Sequence, residues 1–166
     1  MKTTRSTVCF CRQILISSIL FLFVGSASGL SDLPATAVPQ TNGDVYALAF
    51  YGNRVYVGGN FTTIGGYSRK NLAAFDAATG AVDAAWNPNI IRFSSDGSDG
   101  EVLSLAVADG KVYAGGYFKK VNSGVSRNNI AAFALANGSN TGTVDSAWNP
   151  NLDGRASDIA VADGKV

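Results

Sequence analysis

The chain has 166 residues, of which 46% are hydrophobic and only 15% charged, with 13 Lys and Arg against 12 Asp and Glu. That is enough apolar material for a core, but without clustered cations to hold a phosphate backbone, nucleic acid is not an expected partner. No His occurs anywhere, which excludes imidazole metal sites and Ser-His nucleophile pairs.

The first residues read as an export signal. Lys2, Arg5 and Arg12 form a positive leader, 14–24 is apolar apart from Ser17 and Ser18, and small residues follow at 25–29. That three-part layout predicts a signal peptide over 1–29, cut after Ser28 or Gly29. The apolar run is shorter than the roughly 20 residues a spanning helix needs. The alternative is an uncleaved membrane anchor. Cys9 and Cys11 precede the apolar run, so the mature chain is expected to have no cysteine, disulfide or thiolate metal site. It keeps ten Lys and Arg against twelve Asp and Glu, a net charge of −2. The expected location is extracellular or at the cell surface, without a stable membrane span.

A lead-in, 30–44, follows, and the chain then repeats itself. The stretch VYALAFYGNRVYVGG from Val45 returns as VLSLAVADGKVYAGG from Val102, and a third copy opens at Ala156. Val112 and Phe118 stand 57 residues after Val55 and Phe61, whereas Trp148 stands 62 after Trp86, which predicts an insertion within 134–143. Periods of this size mark propellers, solenoids and arrays.

Each unit reads as four short strands. In the first they are 45–51, 54–58, 71–75 and 81–86, joined by the Gly52-Asn53 turn, a Gly- and Ser-containing loop over 62–70, and the Ala-Thr-Gly turn at 78–80. Asp109-Gly110 and Asp163-Gly164 are two-residue hairpin signals, since both residue types tolerate positive φ. The predicted fold is all-β: tandem four-stranded antiparallel blades of a β-propeller, incomplete in this chain. The first blade and its link take 45–101, the second blade 102–155, and the start of a third 156–166. A right-handed β-helix is the alternative.

One set of landmarks returns in order. Val-Tyr-Val-Gly-Gly-x-Phe-Thr-x-Ile-Gly-Gly over 55–66 is followed by Arg69-x-Asn71-x-Ala73-Ala74-Phe75-Asp76, Thr79-Gly80 and Trp86-Asn87-Pro88-Asn89. This pattern resembles the β-propeller repeat family of unknown function found in exported bacterial proteins, the delta-sixty repeat, over about residues 45–166. A related pattern is similar to that of fungal cortical-marker proteins. The resemblance implies a propeller-like fold and secretion or surface display, and no established activity. The second copy departs from it, with Ala134 in place of Asp76 and Asn122-Ser123-Gly124 in place of Ile64-Gly65-Gly66.

Several residues invite chemistry and receive a structural reading. Gly58-Gly59 and Gly115-Gly116 lack the helix and Lys-Ser/Thr pair of a phosphate cradle, so close backbone approach or a bulge is expected. Phe61, Phe118, Trp86 and Trp148 are expected as blade-packing aromatics. Arg69 and Arg127, each two residues before an Asn (Asn71, Asn129), are expected to bridge blades by donating to carbonyls or a carboxylate, with a pocket role as the alternative. Ala74-x-Asp76-x-x-Thr79-Gly80 before Trp86 differs in spacing from the docking pattern of quinone-dependent propellers and reads as a hairpin. Ser94-x-Asp96 lacks the Gly and Trp of a sialidase Asp-box. The loop from Asp96 to Glu101 holds three carboxylates, so calcium is an alternative to a solvated loop. Asn60 and Asn137 stand in Asn-x-Ser/Thr sequons, which matter in a eukaryotic source.

No catalytic, cofactor-binding or metal-binding residue is assigned and no cofactor is expected. The expected function is a secreted or cell-surface scaffold for protein or glycan ligands. The alternatives are the propeller part of an extracellular enzyme, where Asp76 and Asp83 would be the strand-region carboxylates, and a structural spacer. Further repeats are expected after Val166, since propellers close with about 4–8 blades. Without them, exposed strand edges would invite self-association.

Overall fold

A computed structural model describes residues 38–91 and 100–166. The predicted signal peptide with Cys9 and Cys11, most of the lead-in, and Ser94, Asp96 and Asp99 lie outside the described residues. All regular structure among the described residues is β, and no helix there is long and apolar enough to cross a membrane.

The first blade is built from β1 (Asp44–Tyr51), β2 (Arg54–Asn60) and β5 (Leu72–Asp76), antiparallel in the order β1-β2-β5. A two-stranded hairpin, β3 (Thr63–Ile64) with β4 (Tyr67–Ser68), fills the loop between β2 and β5. The second blade repeats this with β6 (Glu101–Ala108), β7 (Lys111–Tyr117) and β10 (Ile130–Ala134), and its hairpin is β8 (Lys120–Val121) with β9 (Val125–Ser126). Asp109 and Gly110 both have positive φ, as do Asp163 and Gly164, the geometry that matches strand twist in two-residue hairpins.

Register sorts each blade into two faces. Phe50, Val55 and Phe75 stand in one row, with Leu48, Val57 and Ala73 in the next. Ala49, Tyr56 and Ala74 form the rows of the opposite face, as period-2 alternation requires. We call the first the leading face and the second the trailing face. The leading face of blade two (Val102, Val112, Ala114, Phe118, Val121, Ala131, Phe133) packs into one core with the trailing face of blade one (Tyr56, Leu72, Ala74, Trp86, Ile90).

Two expectations need correction. The predicted fourth strand, 81–86, is a single bridge, Val82 with Phe75, and in blade two Val144 with Phe133. The Asp83 carboxylate accepts the amides of Ala85 and Trp86 and turns the chain out of the ladder. The extra residues of the second copy are also split. Pairing with β7 puts Phe133 where Phe75 stands in blade one, 58 residues on. One added residue therefore lies in the β8–β9 turn, where Asn122, Ser123 and Gly124 all take positive φ, and the others lie within 134–143.

Candidate functional site

The repeated Gly-Gly dipeptide has two separate jobs. A Cβ on Gly59 would lie 2.0 Å from the Asp44 carbonyl oxygen, and one on Gly116 would lie 2.0 Å from that of Glu101. Both sit opposite bulges, where Tyr46 in β1 or Leu103 in β6 is the additional residue. Gly58 and Gly115 instead make room for the next unit. A Cβ on Gly58 would lie 2.5 Å from Val102 Cγ1, and one on Gly115 2.9 Å from Ile159 Cδ1. The expectation of close approach and a bulge thus holds.

Asn71 and Asn129 take the left-handed conformation, φ 66° and 65°, which Asn tolerates better than most residues. Each is buried and ties three segments together. The Asn71 Oδ1 accepts the Phe61 amide while its Nδ2 donates to the Ile90 carbonyl at 2.9 Å. Asn129 does the same with Phe118 and Leu152.

Arg69 and Arg127 donate to carbonyls as expected, but inside their own blade. Arg69 reaches the carbonyls of Ser68, Asp83 and Ala84, and Arg127 those of Ser126 and Asp145. The expected bridge between blades is therefore corrected: each guanidinium lies along the chain that leaves its own last bridge. Burial pushes the Arg69 guanidinium down, partly opposed by Asp83. The Nε atoms of both arginines are buried without a hydrogen-bond partner.

The joint is latched by Trp86, which is fully buried, stands edge-on to Tyr56 at 5.3 Å and donates from Nε1 to the Ala134 carbonyl at 2.8 Å. Asp83 accepts the Gly138 amide of the second blade at 2.8 Å, with Arg54 at 3.8 Å. Its counterpart Asp145 pairs with Lys111 at 2.7 Å, and that partner, together with the Ala147 and Trp148 amides, holds the Asp145 carboxyl below the usual carboxylate range. Asp76 closes its own turn. Its Oδ1 accepts the amides of Ala78 and Thr79 and the Thr79 hydroxyl, and the Thr79 amide leads in depressing its pKa. The two strand-region carboxylates thus serve separate turns.

A second constellation lies at the start of β1 and β6 and of the third copy. Asp44, Glu101 and Arg155 occupy the same position in three successive units, each one residue before Val45, Val102 or Ala156. Arg155 pairs with the Glu101 carboxylate and lies over the Tyr117 ring, 5.8 Å from its centroid. Tyr46, 46% exposed, donates its hydroxyl to Asp44. Partial desolvation and the charges of Asp44 and Glu101 push its phenol pKa up. The sequence reading missed this rim, because it began the copies at Val45, Val102 and Ala156 and so left Asp44, Glu101 and Arg155 each one residue outside the aligned repeat.

Of the other sequence candidates, Asn60 ends β2, exposed. Asn137 is exposed, and its side-chain oxygen accepts the amides of Ser139 and Asn140. Of the three carboxylates considered for calcium only Glu101 is described. Among the described residues no three His, Cys, Asp or Glu gather as a metal site.

Two antiparallel blades with matching faces, matching bulges and a shared core define a tandem-blade protein of propeller type. The model of a β-propeller domain of unknown function, DUF5122, matches residues 53–85 and 108–139, one segment in each blade. Comparison with curated proteins and with solved structures gives no match.

Proposed function

We propose that this chain is a secreted or cell-surface propeller-repeat scaffold that binds a protein or glycan ligand on the rim of Asp44, Tyr46, Glu101, Tyr117 and Arg155. The observation that carries the reading is the gathering of three charged residues from one repeat position beside an exposed tyrosine. The faces that the two blades turn to each other are taken up by packing, and the recurrent Arg, Asn and Asp by backbone. A tyrosine ring offers an apolar surface to the face of a sugar, and carboxylates accept from its hydroxyls. The layout of residues 1–29 supports export.

The test is a glycan array probed with the full chain, beside Tyr46→Ala and Glu101→Gln. Binding that both substitutions weaken at least tenfold supports the reading. Binding that neither changes moves the ligand off this rim, and an absence of any binding favours the spacer role. Expression with the native N-terminus, followed by sequencing of the secreted product, tests export.

A further inference from the structure

The dipeptide Asn-Gly occurs twice in the chain, at Asn42-Gly43 and at Asn137-Gly138. In such a pair the glycine nitrogen can attack the side-chain carbonyl carbon of the asparagine, because glycine has no Cβ to stand in the way. The two pairs are held differently. The Asn42 carboxamide is tied at both ends to the loop after β2: its Oδ1 accepts the amides of Thr62 and Thr63, and its Nδ2 donates to the Thr62 hydroxyl. The Asn137 Oδ1 instead accepts the amides of Ser139 and Asn140, at 2.9 and 2.8 Å. This turn folds the Asn137 side chain back over the Gly138 amide that lies between.

Three groups meet around the atoms that would react. The Gly138 amide points its proton at the Asp83 carboxylate, with Oδ2 at 2.8 Å, within the reach a general base needs. The Ser139 and Asn140 amides sit on the oxygen where negative charge would develop, as donors do in an oxyanion hole. Residues 137–139 are exposed, and a Cβ built on Gly138 would meet only the Arg54 guanidinium, at 3.8 Å. A small ring has room to form there, and water has access. The Asp83 side chain is 1% exposed and is fixed by the Ala85 and Trp86 amides on its other oxygen. The base comes from blade one and the nucleophile from blade two.

We propose that Asn137-Gly138 is a self-modification site, at which Asp83 of the neighbouring blade promotes conversion of the Asn137 carboxamide to a carboxylate. The Gly138 nitrogen bonds to Asn137 Cγ and gives its proton to Asp83. The Cγ–Nδ2 bond breaks, and Nδ2 leaves as ammonia with that proton. Water then opens the cyclic imide at either carbonyl, leaving aspartate or isoaspartate at position 137. The net change is carboxamide plus water to carboxylate plus ammonium, with no oxidant or reductant. The reaction unlatches the joint between the blades. The imide nitrogen has no proton to give Asp83, and ring opening sets a second carboxylate near the first, where like charges oppose each other.

The test is peptide mapping by mass spectrometry of the full chain, made in bacteria so that no glycan occupies Asn137, during incubation at neutral pH. Isoaspartate is read separately by enzymatic methylation. In the folded chain Asn137 should convert roughly tenfold or more faster than Asn42, and in urea the two rates should converge, since both are then free Asn-Gly pairs. Asp83→Asn keeps an oxygen for the Ala85 and Trp86 amides but loses the base, and should slow conversion at Asn137 by roughly tenfold or more. Its fold is checked by circular dichroism. Asn137→Asp installs the product and should lower the urea midpoint. A rate at Asn137 no faster in the folded chain than in urea would mean that the same hydrogen bonds protect the site, and would overturn the proposal. So would an unchanged rate in folded Asp83→Asn, and an unchanged midpoint in Asn137→Asp would overturn the unlatching. If Asp83→Asn does not fold, the comparison of folded with urea-unfolded wild type decides alone.

Discussion

Replacing Trp86 by Ala should cost far more than the same change at Trp148, although both tryptophans stand in the same Trp-Asn-Pro-Asn motif. Trp86 is fully buried in the joint, edge-on to Tyr56, and donates to the Ala134 carbonyl. Emptying a buried Trp site costs about 3–5 kcal/mol, and a carbonyl left unpaired adds about 1–3 kcal/mol. The expected loss at Trp86 is therefore about 5 kcal/mol. Trp86→Phe keeps most of the apolar contact and loses the donor, so about 1–3 kcal/mol is expected there. Trp148 keeps an edge-on partner in Tyr113 but is only half-buried, so roughly 2 kcal/mol is expected at that site. Urea unfolding followed by far-UV circular dichroism gives all three values. In each single variant the remaining Trp also reports its own environment by fluorescence. A loss at Trp148 equal to or larger than that at Trp86 would refute the placement of the joint.

The glycine pair should separate in the same assay: Gly59→Ala meets a backbone oxygen that cannot move aside and should cost about 3 kcal/mol or more, whereas Gly58→Ala meets the Val102 side chain and should cost about 1–3 kcal/mol. Equal costs would argue against distinct roles. At Asn71, Gly should be tolerated better than Ala by about 1 kcal/mol, because both lose the two buried bonds but only Ala meets the left-handed penalty; the reverse order would contradict the φ assignment. Asp76 and Asp145 both have depressed carboxyl pKa values. Their contribution is present above the unfolded value of about 4 and is lost as pH falls through the lower folded values. The urea midpoint should therefore drop below about pH 4, and Asp76→Asn should flatten part of that drop; a midpoint independent of pH in that window would count against both turns.

How much of this was legible depended on whether a feature is local. The strands 45–51 and 54–58, the Asp-Gly hairpins and the alternation between faces follow from period-2 patterning and turn chemistry, and the structure has them. The Gly-Gly reading also stood, because a strand glycine has few other reasons to recur. The fourth strand failed for a reason outside propensity: a carboxylate that accepts the amides two and three residues on competes with the ladder, and it won at Asp83. The arginines were placed across the joint because sequence gives no direction. Only the fold shows that Asn71, turning left-handed, sends the chain back so that Arg69 lies along its own blade. The rim of Asp44, Glu101 and Arg155 needed all three copies to be begun one residue earlier.

The insertion in the second copy makes the two blades unequal at the joint between them. In blade one the turn after β5 closes on itself through Asp76. In blade two the longer turn reaches back to its neighbour. Gly138 donates to Asp83, the Ala136 amide to the Tyr56 hydroxyl, and the Asn87 amide to Thr141, while Ala134 takes the Trp86 indole. Replacing 134–143 by 76–81 removes three bonds across the joint, since the Trp86 indole keeps a backbone carbonyl at position 134. At a net of roughly 0.5–1.5 kcal/mol each, that is about 1.5–4.5 kcal/mol. The expected result is a lower urea midpoint with an unchanged β spectrum, and undiminished stability would show that the clasp carries no load.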